Sequence, residues 1–142
     1  MISDPFVDEV SSLGDGGAGR VETPFGVFFV PFTAPGDKLR LLLHRDGTSI
    51  AEAVRLSDGA DRIVPACRHF ERCGACVMQH ISPSLYATWK HGRIKRALSA
   101  AGLSAPVADP FVVAPGTRRR VRLAVDNRGR PRIGYRAGRS HR

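Results

Sequence analysis

The chain has 142 residues, 42% of them hydrophobic, with 22 Lys/Arg, 13 Asp/Glu and a net charge of +9. That length suits one ordinary domain or two small ones. No apolar run reaches the roughly 18 residues a membrane-spanning helix needs, and the acidic start MISDPFVDEV lacks the basic-then-apolar pattern of a secretory signal.

A cytoplasmic location, a monomer and no membrane partner are therefore expected. Three cysteines, an odd number, argue against a disulfide framework. The charge is split. Residues 1–66 hold 6 Lys/Arg and 10 Asp/Glu, a net of −4, and residues 67–142 hold 16 and 3, a net of +13. A positive field confined to one half points to a polyanionic partner, with nucleic acid first among them.

The first 60 residues read as β structure. Short runs at 6–13, 19–23, 27–30, 38–44 and 48–56 are separated by turn signals such as Gly14-Asp15-Gly16-Gly17, Ala34-Pro35-Gly36-Asp37 and Arg45-Asp46-Gly47. Five short strands at this spacing predict a small barrel or sandwich. Phe25, Phe28, Phe29 and Phe32 suit its core better than a base-stacking surface. Gly14, Gly16, Gly17 and Gly19 form a glycine-rich turn with no helix after it, which weakens any phosphate-cradle reading.

Residues 57–66 read as a linker. The three cysteines follow as Cys67, Cys73 and Cys76, spaced C-x5-C-x2-C. Thiolates are soft ligands, and three on one loop can serve an iron–sulfur cluster or, with His80 or His69, a structural zinc. Spacing leaves cluster, zinc and no metal open.

The next segment predicts a helix, with Ser82 as N-cap, Pro83 in the first turn and Gly102 at the stop. Tyr86, Trp89, Ile94, Ala97, Leu98 and Ala101 mark its apolar, core-facing side. Residues 103–115 are irregular. A hairpin is then expected from Arg118–Asp126 and Arg132–Tyr135. Alternation would set Arg118, Arg120 and Arg122 on one strand face, fit for phosphate contacts or for guarding a sheet edge. Such a hairpin needs further sheet to bury itself. No catalytic constellation is visible.

Several of these pieces together resemble one family. Pro65-Ala66-Cys67, Cys73-Gly74-Ala75-Cys76 and Val77-Met78-Gln79-His80 are similar to the P-x-C-x5-C-G-x-C-x2-Q-H segment of S-adenosylmethionine-dependent RNA (uracil-C5)-methyltransferases, in the branch that carries an iron–sulfur cluster and acts on 23S ribosomal RNA. Gly14 to Gly19, Val30-Pro31 and Pro35-Gly36-Asp37 look like that family's TRAM barrel. Lys90, Leu98 and Gly102 keep its helix intervals. Arg118-Arg119-Arg120 and Gly134-Tyr135-Arg136 look like its arginine strand and hairpin. The chain departs from the pattern at Ala75 and at Thr117.

The resemblance implies an OB-like β-barrel TRAM domain at 1–58 and a small α+β cluster-binding region at 59–142. A Rossmann-like methyltransferase domain would complete the longer protein. It implies a [4Fe–4S] cluster on Cys67, Cys73 and Cys76, with the fourth cysteine beyond this chain. It implies RNA contacts from Arg118, Arg119, Arg120, Arg122 and Arg136. S-adenosylmethionine and the catalytic residues would belong to the longer protein, so these 142 residues alone are expected to be inactive. The other reading is a free-standing RNA-binding module with a structural zinc and no catalysis.

Overall fold

The computed structural model describes residues 4–138. Five strands, β1 (Phe6–Leu13), β2 (Gly19–Thr23), β3 (Gly26–Val30), β4 (Lys38–Leu43) and β5 (Ile50–Ser57), form one antiparallel sheet in the order β3-β2-β1-β4-β5. The sheet curls because β1 divides itself between two partners. Residues 6–9 pair with β4, and the strand then pairs with β2 from Val10 onward, across a register shift between Val10 and Ser12. An extra residue of this kind bends a strand and sharpens its twist.

Alternation decides which side chains enter the curl. Leu39, Leu41 and Leu43 point inward along β4 while Lys38 and Arg40 face water. With Val10, Val21 and Val30 they make the core, closed at its rim by Phe6 and Ile50. Each fully buried leucine contributes roughly 1.5–3 kcal/mol of transfer free energy. On β3 the same alternation separates the aromatics. Phe28 is buried, but Phe25 and Phe29 are 60% and 55% exposed, so two of the four phenylalanines expected in the core face solvent.

The segment after β5 folds back onto the start of β4 through Gly59, whose backbone N–H donates to Asp37 Oδ1 at 2.8 Å. A Cβ on Gly59 would sit 2.0 Å from the Pro35 carbonyl oxygen and 2.9 Å from the Asp37 nitrogen, both backbone atoms that cannot swing aside. Gly59→Ala is therefore expected to cost about 1–3 kcal/mol. Gly16→Ala, which meets nothing within 4 Å, should stay within about 0.5 kcal/mol of the native chain, and urea titration of the two variants checks both values.

Helix α1 spans Pro83–Ala100. Its ends are as the sequence predicts. Ser82 Oγ accepts from the Leu85 N–H at 3.2 Å. Gly102 takes φ +70°, and Leu103 N–H closes onto the Leu98 carbonyl at 2.9 Å. The core-facing side does not materialise: no residue of α1 is buried, and Tyr86 and Ile94 are 38% and 53% exposed. The helix instead meets the sheet at points. Trp89 Nε1–H donates to the Gly14 carbonyl at 3.0 Å, and Arg96 pairs with Asp15 at 2.7 Å.

The terminal hairpin is shorter than expected. β6 (Ala124–Asp126) pairs with β7 (Arg132–Gly134), and residues 118–123 are irregular and exposed. Three residues of β7 can order only three opposite them, and a two-stranded ribbon has little to hold it in water. Val121, Leu123, Val125 and Ile133 are all exposed.

Candidate functional site

The cysteine loop is built from tight turns. Phe70 N–H donates to the Cys67 carbonyl at 3.0 Å, and Cys73 N–H to the His69 carbonyl at 2.9 Å, with Glu71 between them at φ +71°. The two residues of the Gln79-His80 pair point to different bodies. Gln79 Oε1 accepts from the Cys67 N–H at 3.1 Å, holding the start of the loop. The His80 ring is fully buried, with Nε2 3.1 Å from the Thr33 carbonyl, in the connection between β3 and β4 of the curled sheet. Phe70 fills the space between, 5.3 Å from the Phe32 ring and 5.4 Å from the His80 ring.

A buried ion pair fastens the same joint. Asp37 is fully buried and the Arg62 side chain is 6% exposed. Arg62 reaches Asp37 Oδ2 through Nη2 at 2.7 Å and both carboxylate oxygens through Nε at 3.1 Å, and its Nη2 also donates to the Phe32 carbonyl at 2.7 Å. The Ala34 and Gly59 N–H groups complete the carboxylate's partners. Burial pushes the Asp37 carboxyl up. Hydrogen bonds from Arg62, Ala34 and Gly59, with the Arg62 charge, outweigh it and hold the group below its ordinary 3.8. The linker then runs beside the Gln79-His80 segment, with Ile63 N–H on the His80 carbonyl at 2.9 Å and Ser82 N–H on the Asp61 carbonyl at 2.8 Å.

On its other side the cysteine loop receives the end of the hairpin. Gly74 N–H donates to the Arg136 carbonyl at 2.9 Å, and Gly138 N–H to the Arg72 carbonyl at 3.2 Å. A Cβ at Gly74 would lie 3.0 Å from that Arg136 oxygen, so glycine is what lets the two segments meet. Ala75 needs no such licence, since among the described residues only Phe32 and Glu71 combine a side chain with positive φ. Between the loop, the glycine turn joining β1 to β2 and the hairpin end lies a cleft of about 700 Å³ onto which Cys73, Cys76, Tyr135 and Arg136 open.

All three cysteines are free thiols, Cys67 and Cys76 exposed and Cys73 half-buried. The donors suit a soft metal group, and two of them share the cleft. Their convergence on one point is not in place: among the described residues no three Cys, His, Asp or Glu side chains come together as a metal-binding group. His80, a zinc-ligand candidate by spacing, is committed to the Thr33 carbonyl instead. His69 accepts at Nε2 from Arg68 Nε at 3.2 Å.

His80 Nδ1 is buried without a hydrogen-bond partner. Burial holds the ring below its ordinary 6.5, and the nearby Arg62 charge adds to this, against the raising effects of the Thr33 carbonyl, Asp37 and Glu71. The unfolded chain therefore binds the proton first as pH falls. Stability from the neutral ring is whole above pH 6.5 and is lost as pH falls through the lower folded value. The slope of stability against pH between 7 and 5, read by urea titration at about ten pH values, should flatten in His80→Gln.

Arg118, Arg119, Arg120 and Arg122 lie on the irregular stretch before β6, all exposed, with Arg118 Nε donating to the Arg120 carbonyl at 3.1 Å. The expected single-faced arginine strand is thus not formed. Arg136 stands apart from them, at the cleft. None of the five is in a salt bridge among the described residues. Sequence reasoning missed the Asp37–Arg62 pair, the two-way split of Gln79-His80 and the Trp89–Gly14 bond.

No family model matches the chain. Among curated proteins it is similar to RNA methyltransferases. One, from Mesorhizobium japonicum, is 39% identical over 115 residues, covering 81% of this chain and 27% of the relative. Another, from Caulobacter vibrioides, is 33% identical over 135 residues, covering 92% and 32%. The similarity is to one portion of these RNA methyltransferases. A further relative is the 23S rRNA (uracil(1939)-C(5))-methyltransferase RlmD of Halomonas elongata, 33% identical over 123 residues, covering 80% of this chain and 25% of that protein. The chain spans about a quarter to a third of the length of the curated relatives it matches.

Proposed function

We propose that this chain is the RNA-binding, iron–sulfur-binding portion of an S-adenosylmethionine-dependent 23S rRNA (uracil-C5)-methyltransferase acting in the cytoplasm. The observation that carries the reading is the similarity to the Halomonas rRNA enzyme over 123 residues, which takes in most of this chain. Residues 1–58 act as a TRAM-like barrel and residues 59–142 as the cluster-binding and RNA-binding region, together as a monomer.

The division of labour follows from the chemistry. Methyl transfer to uracil C5 needs a nucleophile, a base and an S-adenosylmethionine site, and these belong to the remaining length of such an enzyme. This portion grips RNA. Cys67, Cys73 and Cys76 would hold the cluster beside the Gly74–Arg136 contact, where it would tie the loop to the hairpin end rather than exchange electrons. The exposed Arg118, Arg119, Arg120 and Arg122, and Arg136 at the cleft, carry positive charge that no carboxylate pairs with among the described residues, which suits a phosphate backbone. The zinc-module alternative loses support from the burial of His80 against the barrel.

The test is a titration of a labelled 23S rRNA fragment with the chain at several salt concentrations. The expected result is binding whose logarithm falls linearly with log salt, by about 0.7 for each phosphate held on single-stranded RNA. Affinity that does not change with salt, or no binding, would overturn the reading.

A further inference from the structure

One face of α1 carries a second basic surface, separate from the arginines of residues 118–136. Tyr86, Trp89, Lys90 and Arg93 are spaced three, four and seven residues apart from Tyr86, so they share one side of the helix. The rings of Tyr86 and Trp89 stack at 6.2 Å with an interplanar angle of 28°. Lys90 Nζ lies 5.5 Å from the Tyr86 centroid, and Arg93 Cζ 5.0 Å from the Trp89 centroid. The platform is anchored, because the indole N–H is held by the Gly14 carbonyl at 3.0 Å.

This face has little anionic compensation: Asp15, the carboxylate beside it, is paired with Arg96 and feels the Arg93 charge only at longer range. Between Pro83 and Ala100 there are four Lys/Arg and no Asp/Glu. Arg96 has its carboxylate partner in Asp15, but neither Lys90 nor Arg93 is in a salt bridge among the described residues. Cations resting on rings are held in place without being neutralised, so ordering them costs little more when an anion arrives. Tyr86 and Arg93 remain exposed, offering a π-face and a guanidinium edge together. Cations interleaved with aromatic rings are the arrangement that receives single-stranded nucleic acid, phosphates on the charges and bases on the rings.

We propose that this face of α1 is a contact site for single-stranded RNA, with Lys90 and Arg93 holding phosphates and Tyr86 receiving a base. The inference rests on the RNA-binding reading above and adds a surface to it. Its test uses the chain's single tryptophan, which sits in the site. A labelled single-stranded RNA is titrated with the 142-residue chain while RNA anisotropy and Trp89 emission are followed together.

Both signals should saturate at the same RNA concentration. Lys90→Gln combined with Arg93→Gln should weaken binding about 20-fold near 0.1 M salt and lower the salt slope by about 1.4, two phosphate contacts' worth. Far-UV circular dichroism of the variant should match the native chain, since both side chains are exposed. Arg93→Lys, which keeps the charge, should retain most of the salt slope, and a loss as large as with glutamine would overturn the phosphate role. If anisotropy saturates while Trp89 emission stays constant and the double variant binds like the native chain, the inference falls and the RNA-binding reading stands. If the native chain binds no RNA, the reading fails and the inference with it. An equal emission change with polyglutamate would overturn RNA as the ligand.

Discussion

Arg62→Ala is expected to lower the stability of the chain by about 3–5 kcal/mol, the usual result of leaving one buried charge without its partner. Asp37 has no exposed surface, and Arg62 supplies three of its hydrogen bonds along with the only cation paired to it among the described residues. The same guanidinium also holds the Phe32 carbonyl, so the substitution frees the backbone beside a residue at φ +60°. A loss of that size is a large part of the roughly 5–15 kcal/mol that holds an ordinary domain together. Urea unfolding should show the midpoint collapse.

The pH dependence should change as well. In the native chain the depressed Asp37 pKa gives stability that is present above 3.8 and lost as pH falls through the lower folded value. Without Arg62 that carboxyl loses both the hydrogen bond and the charge through which Arg62 lowers it, so the acid loss should begin at a higher pH. Asp37→Asn with Arg62→Met, which removes both charges, should recover much of the stability lost in Arg62→Ala. A single substitution with no effect on the midpoint would show that the pair does not fasten this joint.

Replacing Arg118, Arg120 and Arg122 together by glutamine should have the largest effect on RNA binding. If each holds one phosphate, the slope of log affinity against log salt should fall by about 2, and affinity near 0.1 M salt by about 100-fold. Stability should hardly move, because all three side chains are exposed and none is in a salt bridge among the described residues. The two readouts separate a binding role from a structural one. An unchanged salt slope would remove these arginines from the interface.

The strand pattern of the first 60 residues was legible because period-two alternation and glycine turns are local signals. The strands at 6–13 and 19–23 run where the alternation places them, and the helix starts and stops at Ser82 and Gly102. Where sequence reading failed, the deciding interaction was distant. The Asp37–Arg62 pair joins residues 25 apart, and no local pattern marks it. His80 reads as a ligand by its spacing from Cys76, yet its ring is bound to Thr33, 47 residues away. The apolar side of α1 has helical periodicity but nothing in residues 4–138 that buries it. The arginine strand predicted from alternation stops short because β7 gives it only three partners.

For the candidate site, the three cysteines were visible at once, and the contact of their loop with residues 136–138 was not. That contact depends on Gly74 accepting a backbone at van der Waals distance, which the motif marks only as a glycine. Tyr86 and Trp89 read as core in the sequence because aromatics on the apolar side of a helix usually are. Lys90 and Arg93, resting on those rings and in no salt bridge among the described residues, are what set this face of α1 apart.

The most direct test of the account is iron, zinc and acid-labile sulfide analysis, with an absorption spectrum, on the chain purified without oxygen. The account predicts iron with a matching amount of sulfide and a broad visible absorption that is lost when Cys67, Cys73 and Cys76 are replaced by serine. Zinc without sulfide, or protein that folds and binds RNA with no metal at all, would contradict it.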